Sequence, residues 1–428
     1  MILLFLGLFL VSVVIGLPVA FSLSGIGTAI MAWQGIFNPV TISQNMFAGN
    51  DSTPLIAVLF FMLAGALMEE SKLTQRLMDF AYSIVGYFHG GLAHVAILVA
   101  MIFAAMSGSA VATAAAVGGM LLPTMRAKGY DDGFSAALIA SGGAIGPIIP
   151  PSIPMVIYAV IANCSVERMF LGGAVPGILF GVGLMVYARF YAKNRNYPRE
   201  EGKFSFREFG NSFKKSILAL LMPVIILGGI FSGTFTATEA ACVAAVYTFL
   251  IGKFVYRTIA WKRLPSICLA AAKNTAVVMF IISSCSVLAW VLTSQQIPQQ
   301  IARTLLSVST NPTIVLLLIN AFVLVLGCFM DAVAIVVLLS PIMLTVLQQL
   351  SIDPVFFGVL LVVNVCIGAL TPPVGTCLFV ASKIGGVSLA KTAKAVIPMV
   401  LIAVVVLSLC ILFPNVVMFL PNALSPIL

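Results

Sequence analysis

Two short clusters of oxygen-bearing residues interrupt a chain that is otherwise apolar. The first is Ser107-Gly108-Ser109. The second is GCFMD (327–331), which opens on Gly327 and closes on Asp331. Each has a downstream partner rich in proline and glycine, GAIGPIIPPSIP (143–154) and LTPPVG (370–375). Proline removes a backbone donor and clashes with the preceding turn, so neither partner can stay a regular helix. Such segments offer hydroxyls, one carboxylate, and carbonyls that a helix would consume. Oxygen-only donors suit a hard cation, and Na⁺ fits better than Mg²⁺, which holds its water tightly. The candidate ligands are Ser107, Ser109, Gly143, Gly146 and Pro150 in the first pair. In the second they are Gly327, Asp331, Thr371 and Gly375.

Asp331 is the sharpest single residue. It is the only acid between Glu239 and Asp353. An unpaired carboxylate inside a bilayer costs roughly 2.5–3.5 kcal/mol even on the lenient insertion scale, and a bound cation would offset that. The bland alternative is a surface residue at a helix end. For Ser107 and Ser109 the alternative is small-residue helix packing. Glu239, in FTATEAA, is the other candidate for burial, but Thr236 three residues before it also fits a capping box. Asp131, Asp132 and Asp353 read as caps of the helices they precede. His89 and His94 have no third metal ligand near them in sequence. The eight cysteines are dispersed through apolar segments without a CxxC pair and read as packing residues. An intramembrane enzyme fits poorly. An aspartyl protease would want a second membrane acid in a GxGD setting, and serine chemistry a membrane histidine beside Ser107 or Ser109.

The elements that must position these groups are membrane helices. Of 428 residues, 61% are hydrophobic and 8% charged, against roughly 25% charged in soluble domains. The mean hydropathy is +1.16. At about 20 residues per span there is room for ten or more membrane segments and for no soluble domain. The apolar N-terminal stretch lacks a basic flank and reads as a retained first span kinked near Pro18. The net charge of +9 is explained by cytoplasmic loops rather than by an acidic partner such as nucleic acid. Eight of the 22 Lys and Arg lie in 189–215 and four in 253–263. Two apolar runs, 216–231 and 237–252, return the chain to the side it left, so both clusters share the cytoplasmic face. KFSFREFGNSFKK (203–215) alternates Phe with basic residues and predicts a segment lying flat at that interface. The run 93–125 is long for one span and suits a re-entrant hairpin with Ser107-Gly108-Ser109 at its tip. The run 313–350 suits a second hairpin with 327–331 at its tip. No Lys or Arg occurs from 304 to 382, so the second hairpin should open on the opposite face.

The two halves repeat. At an offset of 222 positions, Pro150-Pro151 falls on Pro372-Pro373, Asp131 on Asp353, Pro176 on Pro398, and Ser109-Ala110-Val111-Ala112 on Asp331-Ala332-Val333-Ala334. LTQRL (73–77) resembles IPQQI (297–301) at 224. With the charge pattern, this predicts two copies of one unit, inverted relative to each other. Inverted repeats with broken helices are the architecture of secondary transporters. The predicted organisation is N-terminal scaffold spans (1–92), a first hairpin and broken helix (93–167), connecting and scaffold helices (168–312), a second hairpin and broken helix (313–385), and a C-terminal span (386–428).

SGSAVA (107–112), GAIGPIIPPSIPMVIYA (143–159), GTFTATEAA (233–241), GCFMDAVA (327–334) and LTPPVGTCLFVAS (370–382) together resemble the large membrane subunit of TRAP transporters, the tripartite ATP-independent periplasmic transporters. The resemblance covers essentially the whole chain. One departure is Thr236-Ala237-Thr238-Glu239, where the family usually has Thr-Pro-Thr-Glu. The resemblance implies an all-α, elevator-type, Na⁺-driven importer of the bacterial inner membrane. It implies two partners, a small four-helix membrane subunit and a periplasmic substrate-binding protein. It also assigns Ser107 and Ser109 to one Na⁺ site and Asp331 and Thr371 to a second, each completed by nearby carbonyls. Substrates of the family are mostly organic acids. The sialic-acid branch looks closest, and C4-dicarboxylates are the alternative, as is a stand-alone anion/Na⁺ symporter of similar fold. Ser107, Ser109, Pro151, Ser152 and Pro373 are the candidate substrate contacts. No basic residue is obviously placed in the expected transport core; Lys273, Arg303 and Lys383 are the candidates there.

Overall fold

The computed structural model describes residues 7–8, 11–12, 15–71, 73–195, 197 and 205–424. Among these the chain is helical throughout, with no strand. Eight helices among the described residues are long and apolar enough to cross a membrane.

One group of helices comprises α1 (Val19–Trp33), α2 (Pro39–Ala48) and α3 (Ile56–Glu70), and later α10 (Phe206–Phe231), α11 (Ala237–Leu250) and α12 (Leu264–Ser294). α3 packs along α11 and α12, and α12 also packs on α1 and α2. Residues 7–8 and 11–12 are helical, 15–16 form a turn, and α1 starts immediately after Pro18, so the helical run is interrupted next to the proline. Residues 1–6, 9–10 and 13–14 of the expected first span lie outside the described residues. The Phe-basic segment also departs from expectation. Residues 206–215 are the first turns of α10 and run unbroken into the span. Phe209 and Phe213 stack against Phe80, with ring centroids 5.9 Å and 6.0 Å away. Residues 203–204 lie outside the described part.

The repeat is visible element by element. The first copy is α4 (Leu73–Val85), α5 (Gly91–Ser107), α6 (Ala110–Ala127), α7 (Asp132–Ala144), α8 (Ile153–Ala162) and α9 (Val166–Asn194). The second is α13 (Ile297–Val308), α14 (Pro312–Gly327), α15 (Ala332–Gln349), α16 (Pro354–Gly368), α17 (Thr376–Gly385) and α18 (Leu389–Leu412), followed by α19 (Asn415–Leu424). α5 and α6 form hairpin 1, and α14 and α15 form hairpin 2. α7 with α8, and α16 with α17, are the broken helices. α4 and α13 are amphipathic, with Leu73 and Leu77, or Ile297 and Ala302, on the buried side.

Helix starts obey the same rule in both copies. Asp131 accepts the N–H of Phe134 at 2.8 Å and caps α7; Asp353 accepts that of Val355 at 2.7 Å and caps α16. Crossed ion pairs then tie the copies together. Lys391, at the start of α18, reaches Asp131 at 3.2 Å, and Arg168, at the start of α9, reaches Asp353 at 3.5 Å. Each broken helix runs from its capped end, through its break, to the helix that follows. Asp131 and Lys391 therefore share one end of the bundle, and Asp353 and Arg168 the other. That places the two copies antiparallel. The C-terminal halves are also exchanged: α17 packs on α6 and α7 of the first copy, and α8 packs on α15 of the second.

Candidate functional site

Hairpin 1 turns at Gly108, whose φ of +60° favours glycine. A Cβ there would stand 2.6 Å from the carbonyl oxygen of Pro151. At Gly146 it would stand 2.8 Å from that of Ser109, and at Gly143 2.9 Å from that of Ala110. Glycines at these three positions let the tip backbone touch the break backbone. Ser109 caps α6 and its carbonyl accepts the Thr113 hydroxyl at 2.8 Å; Ser107 Oγ lies 3.1 Å from Thr113 Oγ1. Ser107 is 2% exposed, and every residue of the stretch 141–159 is buried. The sequence therefore brought Ser107, Ser109, Gly143, Gly146, Pro150, Pro151 and Ser152 into one sealed cluster. Thr113 joins it unforeseen, although its hydroxyl lies one turn past the tip. Gly65 of α3 faces Ser107; a Cβ there would stand 3.7 Å from Ser107 Cβ.

The second pair meets differently. Gly327 and Gly368 cross so closely that a Cβ on Gly368 would be 2.6 Å from Gly327 Cα. The N–H of Val374 donates to the Cys328 carbonyl at 3.1 Å, fastening break to tip. Thr371 donates its hydroxyl to Ile367 O at 2.7 Å, which leaves its lone pairs unspent. Gly375 is buried at the start of α17 with φ +34°. Asp331 caps α15 by accepting the N–H of Val333 at 3.0 Å. Its burial is not observed: Asp331 is exposed, and so are Pro372, Pro373 and Val374. Glu239 is likewise exposed. It completes the capping box of α11, accepting the Thr236 N–H at 2.9 Å. Lys273, Arg303 and Lys383 are all exposed.

Each tip and break presents two helix N-termini, of α6 and α8 in the first pair and of α15 and α17 in the second. Unpaired N–H groups and the helix dipole make such ends partially positive. Oxygens for a cation and N-termini for an anion therefore lie side by side. The His94 ring nitrogen sits 3.1 Å from Gly90 O, and among the described residues no three His, Cys, Asp or Glu side chains cluster to hold a metal.

The sequence matches the family described as tripartite ATP-independent periplasmic transporter, DctM component, over residues 6–416. The chain belongs to the TRAP transporter large-permease family. It is 40% identical to the sialic acid TRAP transporter large permease protein of Vibrio cholerae, over 95% of each chain. It is 38% identical to the 2,3-diketo-L-gulonate TRAP transporter large permease protein of Escherichia coli, over 97% of this chain and 98% of that one. It is 41% identical to the C4-dicarboxylate TRAP transporter large permease protein of Pseudomonas aeruginosa, over 91% and 92%. Large permeases of this family are multi-pass transporters of the bacterial inner membrane, not enzymes, and work with a small membrane subunit and a periplasmic binding protein.

A buried amide pair, not foreseen from the sequence, joins hairpin 2 to the second broken helix. Asn364 of α16 donates to Asn320 O and Oδ1 of α14, both at 2.8 Å. A lone Asn within PVFFGVLLVVNVCIG was the available signal.

Proposed function

We propose that this TRAP large permease couples a Na⁺ gradient to the import of an organic acid. The observation that carries the reading is the paired arrangement of tips and breaks. Ser107, Ser109, Gly143, Gly146 and Pro150 supply oxygens for one Na⁺. Asp331, Thr371, Gly327 and Gly375 supply them for a second. The substrate carboxylate is held by helix N-termini at Ser109 and Ser152, with Ser107, Pro151 and Pro373 beside it. Sialic acid is the first substrate to test and C4-dicarboxylates the second. Relatives of both kinds are equally near, at 40% and 41% identity. The partners are a small membrane subunit and a periplasmic substrate-binding protein that delivers the acid. The exchanged halves support an elevator: with α17 on hairpin 1 and α8 on hairpin 2, both sites belong to one body that slides against the scaffold.

The deciding experiment is uptake into proteoliposomes of the assembled three-component transporter, across a panel of organic acids, with and without a Na⁺ gradient. Uptake of one acid that requires both Na⁺ and the binding protein is expected. Uptake indifferent to Na⁺ overturns the coupling ion. Uptake by this chain alone favours the stand-alone symporter.

A further inference from the structure

Thr113 lies on α6, one turn past the tip of hairpin 1, and is fully buried. Its hydroxyl has one hydrogen to give. The Ser109 carbonyl, 2.8 Å away, can only accept, so that hydrogen goes there. The same carbonyl accepts the Thr113 N–H at 3.0 Å, so both of its lone pairs are spent. In the 3.1 Å contact between Ser107 Oγ and Thr113 Oγ1, the donor is therefore Ser107. Its hydrogen is turned toward Thr113 and its oxygen is left as an acceptor. Among the described residues, the one other donor near that oxygen is the Ser109 N–H, at a long 3.4 Å. Fold stability does not explain this arrangement. A helical threonine bonded to the carbonyl four residues back slightly destabilises its helix. The second copy does without it: at the offset of 222, Ser107 falls on Phe329 and Thr113 on Ile335. α15 still starts from its cap at Asp331, as α6 does from Ser109. The two hydroxyls are absent together where the tip carries a carboxylate, and present together where it has none.

We propose that Thr113 is a positioning residue for the cation site of hairpin 1: it takes up the Ser107 hydrogen and so holds the Ser107 oxygen as an acceptor for the ion. This rests on reading the tip as a Na⁺ site. A cation needs lone pairs, and a hydroxyl free to rotate can present its hydrogen instead. Ser107 is 2% exposed, so bulk water does not reach that hydrogen. Without the Thr113 oxygen it turns into the site or onto a carbonyl of the tip or break. Either way the ion loses an oxygen.

Thr113→Val removes the hydroxyl and keeps the branch at Cβ, a shape that Ile335 shows to suit this register. Thr113→Ser keeps the hydroxyl. The assembled transporter, in detergent and without substrate, is titrated with NaCl against choline chloride at constant ionic strength. The thermal unfolding midpoint is followed, because an ion that binds the folded state raises it. Uptake into proteoliposomes is titrated in the same way. In Thr113→Val, the Na⁺ concentration for half of the midpoint rise and for half-maximal uptake should increase about tenfold, as expected for a buried hydroxyl deprived of its partner. The Na⁺-free midpoint and the uptake at saturating Na⁺ should stay near wild type, and Thr113→Ser should restore both titrations. A Val variant that titrates like wild type overturns the positioning role and leaves the coupling ion standing. So does a Ser variant as impaired as Val, because the methyl group and not the hydroxyl then matters. A wild-type protein whose midpoint and uptake both ignore Na⁺ overturns the Na⁺ reading itself, and the role of Thr113 falls with it.

Discussion

Hairpin 1 and hairpin 2 are copies of one device, yet one is sealed and the other open. Around Ser107 and Ser109 the break is buried along its whole length, while Asp331, Pro372, Pro373 and Val374 are exposed. The chemistry differs in the same sense. α6 is capped by a neutral hydroxyl at Ser109 and α15 by a carboxylate at Asp331, 222 positions on. A charge is tolerable where the surface reaches it and costly where it does not. The sealed tip thus presents hydroxyls and carbonyls, and the exposed one a carboxylate.

The largest expected effect breaks that comparison at Asp331. Asn still accepts the Val333 N–H, so Asp331→Asn keeps the cap and removes the charge. Sodium-driven uptake should fall roughly a hundredfold, the equivalent of about 2.7 kcal/mol, while insertion and folding persist. Near-normal uptake in proteoliposomes would take Asp331 out of the site. The sealed site should respond more gently. Alanine at both Ser107 and Ser109 should raise the Na⁺ concentration needed for half-maximal uptake, at a cost of about 1 kcal/mol in stability from the lost cap. An unchanged sodium titration would return both serines to ordinary packing.

Much of this was legible in the residues. Proline pairs at a constant offset marked both breaks, because proline's effect on a helix is local and needs no neighbours to be read. Helix starts at Asp131 and Asp353 were legible for the same reason: a cap is a contact within three residues. What escaped depends on neighbours far along the chain. The exposure of Asp331 follows from how break 2 folds against tip 2, through Val374 N–H on Cys328 O. The union of residues 206–215 with the span follows from Phe80 of α4, more than a hundred positions away, which gives Phe209 and Phe213 a protein surface to stack on. Asn364 was hidden because it meets Asn320 only after hairpin 2 closes on its broken helix.

A smaller effect sharpens the comparison one turn from each break. Where the second copy has Asn364 donating to Asn320, the first has Gly142 against Ala100, with a Cβ on Gly142 only 2.9 Å from that of Ala100. One copy joins hairpin limb to broken helix by an amide bond, the other by close contact. A double-mutant cycle with Asn320→Ala and Asn364→Ala should return a coupling of about 0.6–1.7 kcal/mol, the usual span for hydrogen bonds between membrane helices. Zero coupling in thermal unfolding would make the pair incidental.

The smallest energetic effect carries the most information about topology. Lys391 and Asp131 are half-exposed, at 51% and 40% of their side chains, as are Arg168 and Asp353 at 33% and 37%. Exposed pairs of this kind contribute between zero and about 1 kcal/mol, and salt screens them further. Lys391→Cys and Arg168→Cys should therefore both fold and differ little from wild type in thermal unfolding. Their value lies in where the new thiols stand. If Asp131 and Asp353 open antiparallel copies, a membrane-impermeant maleimide reaches the cysteine at 391 only from the cytoplasmic face, the side of Arg126 and Lys128. It reaches the cysteine at 168 only from the opposite face. Labelling of both from one side would contradict the crossed ion pairs and the antiparallel placement of the copies together, because each pair joins the start of a broken helix in one copy to the last helix of the other.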